Sequence, residues 1–99
     1  MSSDQRPRER LAEIGPQALT DAELLAILLR VGRKGENAVQ QGQRLLSTFQ
    51  GLEGLYRADY ADICLEKGIG PAKAAQIKAA IEIGARMKNL KQSSRPIIQ

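Results

Sequence analysis

Lys67-Gly68-Ile69-Gly70-Pro71-Ala72-Lys73 is the stretch whose residue types and spacing could do chemistry, and that chemistry is the capture of an oxyanion. Neither Gly68 nor Gly70 carries a Cβ, so the backbone can turn tightly and approach a partner closely while Ile69 points inward. Pro71 has its φ preset for the first position of a helix and lacks only an N–H that this position leaves unpaired anyway. The turn therefore delivers the chain onto a helix N-terminus. Amides of Gly68, Gly70 and the first helical turn, Ala72 included, should face outward beside the positive end of the helix dipole and the ammonium groups of Lys67 and Lys73. A phosphate fits such a site. Lys78, further along the same helix, could extend the track.

Other chemistries find little support. The 99 residues contain no histidine, which removes His-assisted nucleophiles, His general bases and His-containing metal sites. The single Cys64 cannot form an intramolecular disulfide and reads as a small apolar residue. Asp59 with Asp62, and Glu9 with Glu13, suit helix starts and exposed helix faces better than acid/base work, because no other catalytic residue type gathers around them. No metal, cofactor or catalytic residue is expected.

The net charge of +4 is modest but unevenly spread: Lys67 to Arg95 holds seven basic residues against one acid, Glu82. A positive C-terminal third suits a polyanion. Arg86, Lys88 and Lys91 are weaker evidence, since cations near a helix C-terminus complement the dipole in any case. No charged-then-apolar leader opens the sequence, and Ala22 to Leu29 is too short and interrupted to cross a bilayer, so a cytoplasmic location without membrane contact is expected.

The elements that must position the turn can be read in order. Ninety-nine residues make one domain with one core, and with 3% aromatic residues that core must be aliphatic. Residues 1–5 read as a disordered terminus, 6–90 as the domain and 91–99 as a linker. A short helix should run from Pro7, with Leu11 and Ile14 inward, to a stop at Gly15-Pro16. Thr20-Asp21-Ala22-Glu23 is a capping box with a Leu19–Leu24 staple, and the apolar helix that follows belongs at the centre. Gly32-Arg33-Lys34-Gly35 interrupts the pattern. Ala38, Val39, Gly42, Leu45, Leu46 and Phe49 resume it, Gly42 permitting close backbone approach. A connector, Gly51 to Leu55, leads to a short helix with Ile63 and Leu65, and a long last helix runs from Pro71 to about Leu90 with a buried stripe of Ala74, Ile77, Ile81 and Gly84.

The pattern around residues 63–77 is that of a helix-hairpin-helix, a binder of DNA backbones. Glu66 departs from it, standing where an apolar residue is common. A weak repeat places Gly32 before Ala38 as Gly68 precedes Ala74, which suggests two hairpins, the first degenerate. Arg33 and Lys34 in the first turn are either a second DNA contact or solvated charges, and Glu36 stands where a phosphate would be repelled. The fold expected is thus all-α, about five helices with one good and one degenerate hairpin.

Arg6 to Leu11, Gly15 to Ala26, Leu29-Arg30-Val31-Gly32 and the Gly68–Ala75 hairpin together resemble the N-terminal region of the bacterial RadC family, traditionally called DNA repair proteins. In that family the helical region precedes a JAMM/MPN-type domain whose metalloprotease-like signature uses a glutamate, two histidines and an aspartate; no residue here matches it. The resemblance implies an N-terminal domain that partners its own C-terminal domain, and a repair context rather than a reaction. Duplex or branched DNA, met through phosphates, is the expected partner. The alternative is a protein-interaction domain packing on a partner or on that C-terminal domain.

Overall fold

Helices in this chain begin where a side chain can serve the unpaired amides of a first turn. In the computed structural model, which describes residues 4–94, α1 covers Arg6–Ile14, α2 Asp21–Leu29, α3 Ala38–Phe49, α4 Gly51–Arg57, α5 Tyr60–Cys64 and α6 Gly70–Ser94. The capping box opens α2 as expected: the Glu23 amide donates to Thr20 Oγ1 at 3.1 Å and the Thr20 amide to Glu23 Oε1 at 2.9 Å. A second box opens α3, formed by Asn37 with Gln40. A 3-10 turn, Pro16–Ala18, follows the stop at Gly15. The architecture is all-α, and among the described residues there is no strand beyond the isolated bridge between Arg33 and Glu36.

Six helices form where about five were expected. The additional one, α4, occupies the presumed connector: its two glycines hide the helical signal, but Leu55 anchors it as a fully buried side chain. Gln50, left-handed at φ 65°, ends α3 and turns the chain into α4. At its far end the Lys78 ammonium donates to the carbonyls of Leu55 (3.3 Å), Tyr56 (2.8 Å) and Ala58 (2.7 Å), satisfying carbonyls that the helix leaves open.

The core joins Leu25, Ala26 and Leu29 of α2 to Ala38 and Leu45 of α3, Leu55 of α4, Ile63 of α5 and Ile69, Ala74 and Ile77 of the turn and α6. Each fully buried leucine or isoleucine contributes about 1.5–3 kcal/mol by leaving water. α2 lies centrally, packed on α1, α3 and α6. At Gly42 a methyl group would lie 2.8 Å from the Ala22 carbonyl oxygen, so the expected close approach of α3 to α2 is present.

Several expectations about burial are corrected. Pro7, not Ile14, is the buried contact of α1. Leu65 is 82% exposed, because α5 ends at Cys64 and leaves it on the outer side of the chain. The buried stripe of α6 fades at Ile81, since α6 continues past the end of the core; Gly84 is exposed, as are Ile83, Met87 and Leu90. α6 also runs to Ser94, beyond Leu90, and residues 95–99 of the expected linker lie outside the described residues. The expected disordered terminus does not extend to Asp4, whose carboxylate accepts from the amides of Gly32 (3.1 Å) and Ala38 (2.7 Å); Met1–Ser3 lie outside the described residues. No helix among the described residues is long and apolar enough to cross a membrane.

Candidate phosphate-binding surface

Two turns meet beside the start of α6. The first is tight: Arg33 and Glu36 exchange backbone bonds of 2.8 and 2.9 Å, leaving Lys34-Gly35 at an exposed tip. The second is Leu65–Ile69, whose only internal backbone closure after α5 is the Ile69 amide on the Glu66 carbonyl at 3.0 Å, with Glu66 N on Ile63 O preceding it. Gly68 (φ 80°) and Gly70 (φ 65°) both occupy the left-handed region. A methyl on Gly68 would lie 2.7 Å from Arg33 Cδ and from Gln41 Nε2, so the Arg33 side chain lies directly against the second turn.

The structure thus gathers Arg33, Lys34, Lys67, Gly68, Gly70, Pro71 and Ala72. Ile69 points into the core, 5% exposed. Lys67, Gly68, Pro71 and Ala72 are exposed. Among the described residues, the amides of Gly68, Gly70 and Ala72 have no internal acceptor, and the Lys34 and Lys67 ammonium groups have no partner. Lys34 is exposed as well, and Gly70 is half-buried.

Three expected donors have partners inside the fold: Arg33 Nε pairs with Glu36 Oε1 at 3.4 Å, and two lysines are engaged elsewhere. Lys73 turns inward and bonds Val31 O at 2.7 Å and Gln41 Oε1 at 3.1 Å; burial holds its ammonium below the usual lysine range, with Asp4 and Glu36 opposing that shift. Lys78 is committed to α4, on another side of α6 from the turn. Helical spacing identifies a face but not the carbonyls that face it, so neither engagement was legible. Arg86 pairs with Glu82 at 3.0 Å one turn back.

The residue that organises the surface is Arg44, which no motif marks. Its guanidinium binds Glu36 through two nitrogens (2.8 and 3.1 Å), Glu66 at 2.9 Å, and the Lys67 carbonyl. One side chain therefore ties both turns together and neutralises the two acids nearest them. The Arg44 hydrogen bond holds the Glu36 carboxyl below the usual glutamate range, burial opposing it and Arg33 reinforcing it, while Glu36 in turn raises Arg44. Glu66, polar where the motif favours an apolar residue, was the one sign that a cation must stand opposite. Gln41 was also missed: it is fully buried, its carbonyl is fixed toward Lys73 because an ammonium only donates, and its Nε2 is left without an acceptor beside Gly68.

A family model described as UPF0758 N-terminal matches residues 1–75. The chain belongs to this family. It is the RadC-like group that the sequence motifs suggested. Among UPF0758 proteins, that of Chloroflexus aggregans is 60% identical over 82 residues, covering 83% of this chain and 36% of the relative. That of Halorhodospira halophila is 54% identical over 83 residues (84% and 37%), and that of Geobacillus thermodenitrificans 50% over 96 residues (97% and 42%). The chain thus spans 36–42% of the length of these UPF0758 relatives. No solved structure matches it. Among the described residues no cluster of three or more Cys, Asp or Glu side chains is placed to hold a metal ion.

Proposed function

We propose that the chain is a non-catalytic, sequence-nonspecific DNA-binding module of a RadC-like protein, with α5, the Leu65–Ile69 turn and α6 acting as a helix-hairpin-helix. The observation that carries the reading is the set of amides without internal acceptors at Gly68, Gly70 and Ala72, on the same turns as the Lys67 and Lys34 ammonium groups, which have no partner among the described residues, with Glu36 and Glu66 both paired to Arg44. Donors of this kind bind phosphate oxygens, which position a protein on a duplex without reading its sequence. The first turn, carrying Arg33 and Lys34, acts as an accessory contact rather than a second complete hairpin, because it lacks the Gly-apolar-Gly core.

Two to three neutralised phosphates predict micromolar or weaker binding and a log–log salt slope of about −2 to −3 on duplex DNA. Fluorescence anisotropy with a labelled duplex at two salt concentrations tests this, with Lys67→Glu as the variant. The Lys67 ammonium has no partner among the described residues, so the substitution should leave the melting curve in place while weakening binding about tenfold. Affinity that is independent of salt, or unchanged in Lys67→Glu, refutes the reading.

A second reading has its own observation. Leu24, Leu25, Leu28, Leu52, Ala80 and Ile81 line an apolar groove of about 300 Å³, next to the exposed Ile83, Met87 and Leu90 of α6. That face suits a protein surface, and a domain that packs on a partner through it would be indifferent to DNA and salt.

A further inference from the structure

Beside the turn lies a second concavity, of about 460 Å³, between Leu29, Arg30 and Val31 on one wall and Ala72, Lys73 and Gln76 on the other. Its lining contains no carboxylate. Ala72, whose amide has no internal acceptor among the described residues, lines it, and the Lys73 ammonium stands in its wall with two of its three protons bound to Val31 O and Gln41 Oε1. Arg30 is exposed, and among the described residues its guanidinium makes no hydrogen bond or ion pair.

The backbone that presents Arg30 is unusual. With φ 72° and ψ −62°, and the Val31 amide donating to Leu29 O at 2.9 Å, residue 30 is the centre of a γ-turn of the rare, strained hand. A glycine would occupy this conformation without a Cβ penalty, yet the sequence places a long cation there. Among the described residues nothing uses that cation. The Gln41 amide, fully buried and with Nε2 unpaired toward Gly68, leaves the turn side of Lys73 lined by donors as well. An acceptor-rich anion is the ligand chemistry that suits Arg30, the Ala72 amide and the remaining proton of Lys73.

We propose that the Arg30 cleft is a second phosphate subsite, continuous with the Gly68–Ala72 turn, and that Arg30 is a binding residue that grips an adjacent phosphate of the same nucleic-acid strand. The proposal rests on the DNA-binding reading above but assigns a residue that reading does not need. A guanidinium suits the role because its planar fork can take two oxygens of one phosphate, which an ammonium cannot do.

Arg30→Gly separates the two properties of the residue, since it relieves the backbone and deletes the cation in one change. The 99-residue chain, its Arg30→Gly and Arg30→Gln variants, and Lys67→Glu as comparator are titrated against a labelled duplex and its single strand at about 50 and 200 mM salt, with thermal melts alongside. The expected result is a higher melting temperature for Arg30→Gly together with three- to tenfold weaker binding and a salt slope smaller by about one. Arg30→Gln should weaken binding equally without the gain in melting temperature, and it decides the question if Arg30→Gly fails to fold. Unchanged affinity in either folded variant, while Lys67→Glu still loses binding, overturns the subsite and leaves the turn in place. No binding by the unsubstituted chain overturns both. Inorganic phosphate that competes beyond ionic-strength-matched chloride overturns the assignment to a strand, because it identifies a free-anion pocket instead.

Discussion

Replacing Arg44 by Met removes the cation that the two turns share while keeping most of the side-chain bulk. The Arg44 side chain is 28% exposed, and its guanidinium makes two bonds to Glu36, one to Glu66 and one to the Lys67 carbonyl, a setting between a surface ion pair and a buried one. Exposed pairs are worth about 0–1 kcal/mol, whereas breaking a fully buried pair costs about 3–5 kcal/mol, so a loss of about 2–3 kcal/mol is expected. For a domain of this size that lowers the melting temperature by roughly 10–20 °C. The effect on ligand binding is separate and has a sign of its own. Glu36 and Glu66 would then stand unpaired near the turns. A carboxylate ~8 Å from a bound phosphate, at an effective dielectric of ~40, repels it by about 1 kcal/mol before salt screening, which cuts this to about 0.4. Two such charges weaken binding roughly fourfold, by an amount that shrinks as salt rises. Anisotropy below the melting point of the variant measures this. Adding Glu36→Gln and Glu66→Gln to Arg44→Met should restore the affinity while stability stays low. Equal affinity of Arg44→Met and the parent chain at low salt would refute the claim that these acids must be neutralised for an anion to bind.

Gly68→Ala and Gly70→Ala should differ although both residues have positive φ: the first methyl meets Arg33 Cδ and Gln41 Nε2 at 2.7 Å and the second meets nothing within 4 Å. Calorimetry should give a loss of about 1 kcal/mol for Gly70→Ala, from the left-handed backbone alone, and a clearly larger one for Gly68→Ala. Lys78→Met, which strands two α4 carbonyls and that of Ala58 just beyond it, should cost about 1–2 kcal/mol in chemical denaturation and leave DNA affinity within twofold of the parent. Asp4, held down by the Ala38 and Gly32 amides, Glu23, held down chiefly by the Thr20 amide, and Glu36, held down by Arg44, all lie below their ordinary values of 3.8 and 4.5. The folded state therefore binds fewer protons than the unfolded one, and their stabilisation is present at neutral pH and lost as pH falls below about 4.5. Melts from pH 7 to pH 3 should show that fall, and Asp4→Asn should lower stability at pH 7 and flatten the profile.

What the sequence made legible is what local chemistry decides. Thr20 and Glu23 are three residues apart and cap each other whatever surrounds them. Gly42 signals a close backbone because its neighbours in the helical stripe are apolar, and Gly68-Ile69-Gly70 signals its turn because Ile69 alone in the triplet has a side chain to bury. α4 was hidden since its formation depends on Leu55 reaching the core and on Lys78, twenty-three residues away, closing its end. The same dependence removed Lys73 and Lys78 from the outward set. A lysine on a helix next to a turn has no sequence mark distinguishing one that waits for a ligand from one already held by carbonyls.

On the proposed reading, the attraction of an anion to this surface would owe little to Lys73 and Lys78, whose ammonium groups already have internal partners. It would owe more to backbone amides without internal acceptors at the two glycines, to Lys67 and Lys34, and to the pairing of Glu36 and Glu66 with one arginine on α3. Lys73 contributes indirectly: by holding Val31 O and Gln41 Oε1 it fixes the α2–α3 loop against α6, and so sets the distance between the two turns. Lys73→Glu would therefore break the scaffold as well as reverse a charge, and a loss of binding in that variant would not identify a contact. Lys67→Glu changes charge alone. If phosphate recognition resides in this turn, the residue with no internal partner must carry the larger effect on affinity, and the residue with two must carry the larger effect on the melting temperature.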